Sequence, residues 1–338
     1  MTPPNQYSTQ AGRIAVIGLG GTIAMRSADG RGAVPGLGAE ELLAALPDAV
    51  TRHVARVENF RQLPGAHLAL QDLVDLAARI VELEQAGAAD GFVVVQGTDT
   101  IEETVFALEL LHRGAAPVVV TGAMRHAGQT SPDGAANLAN SIVLAASPAA
   151  RDRGAMVCFN DEVHAGWAVQ KTAATNLAAF SSPGFGPLGH VVEGRAELMM
   201  SALRWPAVAA KPGDLRPAPV ALVAAALGEG PELLDAVGQG HWRGLVVQAL
   251  GAGHLPAEWV EPLERLAAVM PVVLATRVSR GPVLQETYAF PGSEQDLIAR
   301  GLIPAGYLGA SKARILLSLA LGAGRAMTGV KAMLGGVA

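Results

Sequence analysis

Two Gly-Thr pairs, Gly21-Thr22 and Gly97-Thr98, each close a short apolar run, and Asp99 follows the second. A threonine hydroxyl can serve as an acyl-accepting nucleophile, but at its ordinary pKa it is weak and needs a partner that takes its proton. Lys171, in Gln170-Lys171-Thr172, is the candidate helper: an ammonium buried near Asp99 would shuttle protons through Thr98. A lone lysine is more often a solvated surface charge, so this assignment needs support from elsewhere. Other chemistries fit worse. The single cysteine, Cys158, lies inside the apolar run 155–159 and reads as an inert core thiol. Gly18-Leu19-Gly20-Gly21 fails as a dinucleotide-binding turn because Ile23 stands where the third glycine belongs. GK[ST] and GxSxG are absent, and the eight histidines show no zinc-ligand spacing, so a Walker A loop, a hydrolase elbow and a structural zinc site are not expected.

The elements that must position these groups alternate. Residues 92–95 form a brief β-branched run that reads as a buried strand. Beyond them Thr100 and Glu103 have the form of a capping box, and Ile101, Val105, Leu108 and Leu111 recur at helical spacing. Strands are expected at 13–19, 54–60, 117–121 and 155–160, with helices at 39–46, 70–85 and 132–146. No tight-hairpin signal separates neighbouring strands, so the pattern predicts a parallel sheet. Such a sheet gathers Gly21-Thr22, Gly97-Thr98-Asp99, Thr121-Gly122 and Asn160-Asp161 along its carboxyl edge, where ligands bind. The same residue types are ordinary turn and cap residues, so any single pair says little. Residues 25–38 form a long Gly-, Ser- and Pro-containing loop of the kind that often covers a site.

The second half is organised apart from the first. Residues 172–195 look irregular, and 201–219 hold Pro206, Pro212, Pro217 and Pro219, the composition of a linker. Further strands are expected at 220–227, 244–250 and 271–275, and helices at 258–268 and 312–321. The fold class is therefore α/β, with a larger N-terminal catalytic domain (1–200) and a smaller C-terminal, Rossmann-like α/β domain (220–338). Half of the chain is hydrophobic, enough for a large core without disulfides. A net charge of −5 argues against a nucleic-acid surface. No apolar run approaches the roughly 18 residues of a membrane span, and the first residues lack the basic and apolar regions of a secretory signal. A cytoplasmic setting is expected.

Taken together, the motifs resemble the bacterial-type L-asparaginase/glutaminase (asparaginase 1) family, and the match runs through nearly the whole chain. Gly20-Gly21-Thr22-Ile23-Ala24 resembles the family's first signature, whose threonine is the nucleophile. Gly97-Thr98-Asp99-Thr100 with Glu102-Glu103-Thr104 resembles the second, which supplies the Thr-Asp pair of a Thr-Lys-Asp triad. Thr121-Gly122-Ala123-Met124-Arg125 and Asp133-Gly134-Ala135-Ala136-Asn137-Leu138 are similar to later blocks. Asn160-Asp161-Glu162-Val163-His164, Lys171-Thr172 and Gly186-Pro187-Leu188-Gly189 resemble the segment with the triad lysine. Lys312-Ala313-Arg314 is similar to the family's KAR helix, with Glu294 at the position from which a neighbouring subunit's glutamate enters the site.

The resemblance implies hydrolysis of the side-chain amide of L-asparagine, with L-glutamine as a second substrate, in a homodimer or homotetramer. Thr22 would attack, while Thr98, Asp99 and Lys171 manage protons, with no metal or cofactor required. Backbone N–H groups near Gly97-Thr98 and Ala123 would form the oxyanion site. The chain departs from the family at several points. Gln96 replaces a common histidine, and the family's lid tyrosine has no counterpart in residues 27–35. Tyr288 is the nearest substitute. The carboxylate-binding serine is missing from residues 59–67, where Gln62 takes the role or Arg61 supplies a charge. Gly251-Ala252-Gly253-His254 lacks the family's asparagine. Two alternatives follow: an amidase for another amide, or a binding protein that keeps the cleft without turnover.

Overall fold

The computed structural model describes residues 12–21, 25–27, 33–35, 39–201 and 203–335. Thr22 and most of the 25–38 loop lie outside the described residues. The first strands are β1 (Ile14–Gly18), the short antiparallel pair β2 (Met25–Ser27) and β3 (Ala33–Pro35), and β4 (Val54–Asn59). Between β3 and β4 come α1 (Ala39–Leu43) and α2 (Asp48–Thr51). Then α3 (Leu70–Gln85), β5 (Gly91–Val95), α4 (Ile101–Leu111), β6 (Val118–Thr121), α5 (Gly134–Ala146) and β7 (Ala155–Phe159) alternate.

Strands β1, β5, β6 and β7 are buried along their whole length and pair in parallel, as unbroken Val/Ile runs covered on both faces must. Successive side chains go to opposite faces. Ile17, Phe92, Val94 and Val120 pack with Leu76 and Ile80 of α3 and Val105 and Leu108 of α4. Val16, Val93, Val119 and Met156 pack with Leu138 and Ile142 of α5 on the other side. Cys158 belongs to this second layer, where burial pushes its thiol up to about 12.

The sheet is not wholly parallel, which corrects the sequence expectation. After β7 the chain turns back into β8 (Glu162–Ala165), pairing antiparallel, with Asn160 and Asp161 both at positive φ (50° and 66°). Two such residues make the tight turn whose twist suits a hairpin. Asn160-Asp161 therefore closes β7, itself parallel to β6, as a hairpin turn into β8. The stretch read as irregular holds β9 (Gln170–Lys171) paired with β10 (Phe180–Ser181), then the hairpin β11 (Gly189–Val192) and β12 (Arg195–Leu198). The eight-stranded order is β12-β11-β8-β7-β6-β5-β1-β4.

A second, four-stranded parallel sheet is built from β13 (Val220–Ala224), β14 (Gly244–Ala249), β15 (Val272–Thr276) and β16 (Ile303–Pro304). Its helices are α6 (Glu232–Gln239), α7 (Val260–Ala267), α8 (Glu294–Ala299), α9 (Ala310–Gly322) and α10 (Met327–Leu334). One face packs on α6 and α7. The other packs on α9, which also lies against α4, so one apolar core runs from the first sheet's α3–α4 layer into the second sheet. The proline-rich segment before β13 is anchored too: the Trp205 amide donates to Glu109 at 3.0 Å and its indole to the Met333 carbonyl at 3.0 Å.

Candidate active site

At the carboxyl end of β1 the chain runs through Gly20 and Gly21, both at positive φ (101° and 91°). The left-handed region suits glycine, and contact demands it as well. A Cβ on Gly21 would stand 1.9 Å from the Gly97 nitrogen. The first Gly-Thr pair thus has its glycine pressed directly onto the second pair, just beyond β5. Gly65 and Gly122 close the same site: a Cβ on Gly65 would meet the Gly97 carbonyl at 3.0 Å, and one on Gly122 the Gln96 carbonyl at 2.4 Å. Four segments converge because their glycines leave no side chain between them.

Thr98 follows Gly97 in a single turn of 3-10 helix, Thr98–Thr100, that leads into α4. The expected capping box does not form. Thr100 Oγ1 donates instead to the Gly65 carbonyl at 3.1 Å, tying the 62–67 loop to this turn. Gln96 is fully buried and its Nε2 reaches the Gly97 carbonyl and Thr100 Oγ1, each at 3.3 Å. Thr98 is buried, whereas the Asp99 side chain is 62% exposed.

Lys171 arrives on β9 and joins both. Its Nζ donates to Thr98 Oγ1 at 2.9 Å and to Asp99 Oδ1 at 3.2 Å. Its backbone amide donates to Glu102 Oε2 at 2.6 Å, so the first turn of α4 fixes the lysine that serves the residues just before it. A hydroxyl and a carboxylate bridged by one ammonium can relay a proton between a nucleophile, a leaving group and solvent. The β6–α5 connection is held by Asp133, whose carboxylate accepts from the amides of Met124 (3.0 Å) and Arg125 (2.9 Å). Asn137, one turn further, donates to the Gly122 carbonyl at 3.0 Å and accepts from the Asn160 amide at 3.0 Å. These two fix the backbone around Ala123, which is itself buried.

The structure thus brings Gly97, Thr98, Asp99, Lys171 and the Ala123 backbone to one edge. Gln62 is exposed on the adjoining loop, next to Leu63, whose amide bonds to the Leu19 carbonyl at 3.0 Å. Arg61 is committed elsewhere: it pairs with Asp72 at 2.8 Å and Asp75 at 3.4 Å on α3, so it is not a free charge for a ligand. Glu294 and Tyr288 form a cluster of their own in the second half. Glu294 is fully buried. One carboxylate oxygen accepts from the amides of Thr287 (2.9 Å) and Tyr288 (2.7 Å), and the other lies 3.2 Å from His254 Nε2. Burial pulls this carboxyl up, but these donors outweigh it and leave it below its usual range. Tyr288 and Phe290 stand edge-on to the His254 ring at 4.9 and 5.1 Å. None of these bonds or ring contacts reaches Thr98, Asp99 or Lys171.

Sequence reasoning missed Glu102, Asp133 and Asn137 as supports. Asp133 and Asn137 carry a signal in their i,i+4 spacing at a helix start. Glu102 carried none, because its partner lies 69 residues away. Among the described residues no cluster of His, Cys, Asp and Glu is arranged to hold a metal, and no helix is long and apolar enough to cross a membrane.

The comparisons with known proteins agree with one another. Residues 13–204 match the family model described as Asparaginase, N-terminal, and 219–334 that of the Glutaminase/Asparaginase C-terminal domain. A probable L-asparaginase of Deinococcus radiodurans is 37% identical, over 92% of this chain and 94% of its own length. An L-asparaginase of Bacillus licheniformis is 33% identical, over 91% and 95%. The solved structure of a probable cytoplasmic L-asparaginase from Campylobacter jejuni superposes with a TM-score of 0.85 at 28% identity, covering 96% of this chain and all (100%) of that one.

Proposed function

The chain belongs to the asparaginase family, and from that premise we propose that it hydrolyses the side-chain amide of L-asparagine to L-aspartate and ammonia. It is an amidohydrolase of the asparaginase type. In this reading Thr22 Oγ adds to the amide carbon and gives up its proton. The C–N bond breaks, the nitrogen takes a proton, and ammonia leaves. Water then adds to the ester carbon, the bond to Thr22 breaks, and aspartate departs. Thr98, Asp99 and Lys171 carry the protons through both halves. Backbone N–H groups at Gly97-Thr98 and Ala123 stabilise the oxyanion, an arrangement worth roughly 3–4 kcal/mol per donor. Asp99, with its exposed carboxylate, meets the substrate ammonium.

The observation that carries the reading is the double contact of Lys171 Nζ with Thr98 and Asp99. The packing of Gly21 on Gly97 supports Thr22 as the attacking group, since Thr22 is the next residue. Gln62 binds the substrate's carboxylate end. Glu294 and Tyr288 act from a neighbouring copy in a homodimer or homotetramer, and the setting is cytoplasmic, which cell fractionation tests. Ammonia release from L-asparagine and L-glutamine is the direct assay. Release from L-asparagine by the wild type, and none by Thr22→Val, is the expected result; equal release by both removes Thr22 from the mechanism.

A second reading keeps the chemistry and changes the substrate. It is favoured by the commitment of Arg61 to α3 and of both Glu294 oxygens to internal donors. Both leave fewer free charges for an amino acid's polar ends. A panel of D-asparagine, dipeptide amides and simple amides decides: a higher kcat/KM on one of these than on L-asparagine establishes the second reading.

A further inference from the structure

Lys312 has no part in the chemistry above, yet it is buried to 3% exposure at the start of α9. Its ammonium donates to the carbonyls of Gly166 (2.9 Å), Trp167 (3.0 Å) and Val169 (2.5 Å). An ammonium has three donors, and here three carbonyls take them. These carbonyls belong to the connection between β8 and β9, and Val169 stands two residues before Lys171. The connection has no slack on its other side. The Gly166 amide donates to the Ala155 carbonyl at 2.9 Å, and a Cβ there would stand 2.8 Å from the same oxygen. At its far end the Lys171 amide is held by Glu102. Glu102 and Glu103 of α4 supply counter-charge to the Lys312 ammonium.

We infer that Lys312 is a positioning residue through which the second domain sets the place of Lys171. The inference rests on the proposed role of Lys171. Residues 166–171 carry that lysine to Thr98 and are gripped at both ends, by Lys312 across the domain boundary and by Glu102 beside the site. Removing the ammonium leaves three inward carbonyls without their donor. The segment then relaxes, and Lys171 Nζ shifts from two contacts that are already 2.9 and 3.2 Å long. A shift of about 1 Å at a reacting group costs on the order of 10²-fold in rate.

The test measures kcat, KM, the pH profile of kcat and Tm with L-asparagine, for the wild type, Lys312→Met, Lys312→Gln and Lys171→Met. The expected result for both Lys312 variants is a fall in kcat of about tenfold or more and a KM within about twofold of wild type. The pH profile moves, because it reads the proton traffic through Lys171 and Thr98. A lowered Tm with unchanged kcat and unchanged profile makes Lys312 a strut and overturns the proposal, as does failure of both variants to fold. Lys171→Met distinguishes the underlying reading. If that variant turns over like wild type, the role of Lys171 itself is wrong, whatever the Lys312 variants do.

Discussion

The half-buried Lys171 ammonium sits between the Thr98 hydroxyl and the exposed Asp99 carboxylate and bonds both, so Thr98 is the end of the chain that faces the reacting groups. Thr98→Val keeps the shape and removes the relay. The expected kcat falls by about 10²–10⁴-fold, with Tm within a few degrees, in ammonia-release and thermal-melt measurements. Glu103 makes a separate prediction about stability. Burial pushes its carboxyl up to about 7, helped by the nearby Glu102 charge. The folded protein therefore keeps a proton that the unfolded chain releases, and stability falls as pH rises from about 4.5 to about 7. Glu103→Gln removes this cost: its Tm matches wild type near pH 4 and exceeds it at pH 8, by melts across that range. Thr98 and Asp99 were legible at this scale, because strand ends in α/β sheets carry chemistry. Lys171 was legible only through resemblance, since 73 residues separate it from Thr98. The capping box misled because tertiary partners hold the Thr100 hydroxyl: it donates to the Gly65 carbonyl, and its oxygen accepts from Gln96 Nε2 where a cap would accept from a local N–H.

Among the elements, the buried strands β1, β5, β6 and β7 were readable because a parallel strand covered on both faces leaves a continuous apolar run. Strands β8 to β12 were not, since each has two to four residues and sits among glycines and prolines. Asn160-Asp161 does stand at the carboxyl end of a parallel strand, but the hairpin it makes into β8 was not legible, because a polar pair after a strand reads the same in a loop or a tight turn. Two element-scale predictions follow from how the ends of β1 and β6 are held. Gly21→Ala forces a Cβ into the Gly97 backbone at a positive φ. It should abolish ammonia release and lower Tm, whereas Gly87→Ala, also at positive φ but with nothing within 4 Å, should lower Tm slightly and leave kcat intact. Asp133→Ala strips the Met124 and Arg125 amides of their acceptor. A loss of about 1–3 kcal/mol in denaturant melts is expected, with reduced kcat as the Ala123 backbone loosens.

For the whole molecule, the second sheet does more than close a lobe: α9 packs in its core and in that of the first sheet's α3–α4 layer. Composition suggested a division near the prolines and gave no sign of this shared core, because helical spacing does not say which two layers a helix separates. The segment before β13 shows the same limit, since its prolines read as a loose linker while Trp205 ties it to both halves. The cluster of Glu294, His254, Tyr288 and Phe290 makes no bond to the Lys171 group within one chain. A role for it in catalysis requires a second copy. Light scattering is expected to give a dimer or tetramer whose dissociation on dilution lowers specific activity; a fully active monomer would detach this cluster from the site.

The most direct test of the central claim is to catch the covalent intermediate. Wild-type protein mixed with L-asparagine, quenched rapidly in acid during turnover and mapped by peptide mass spectrometry, should carry one β-aspartyl group on the peptide containing Thr22. An acyl group on the Thr98 peptide, or steady ammonia release with Thr22 replaced by valine, would contradict the account.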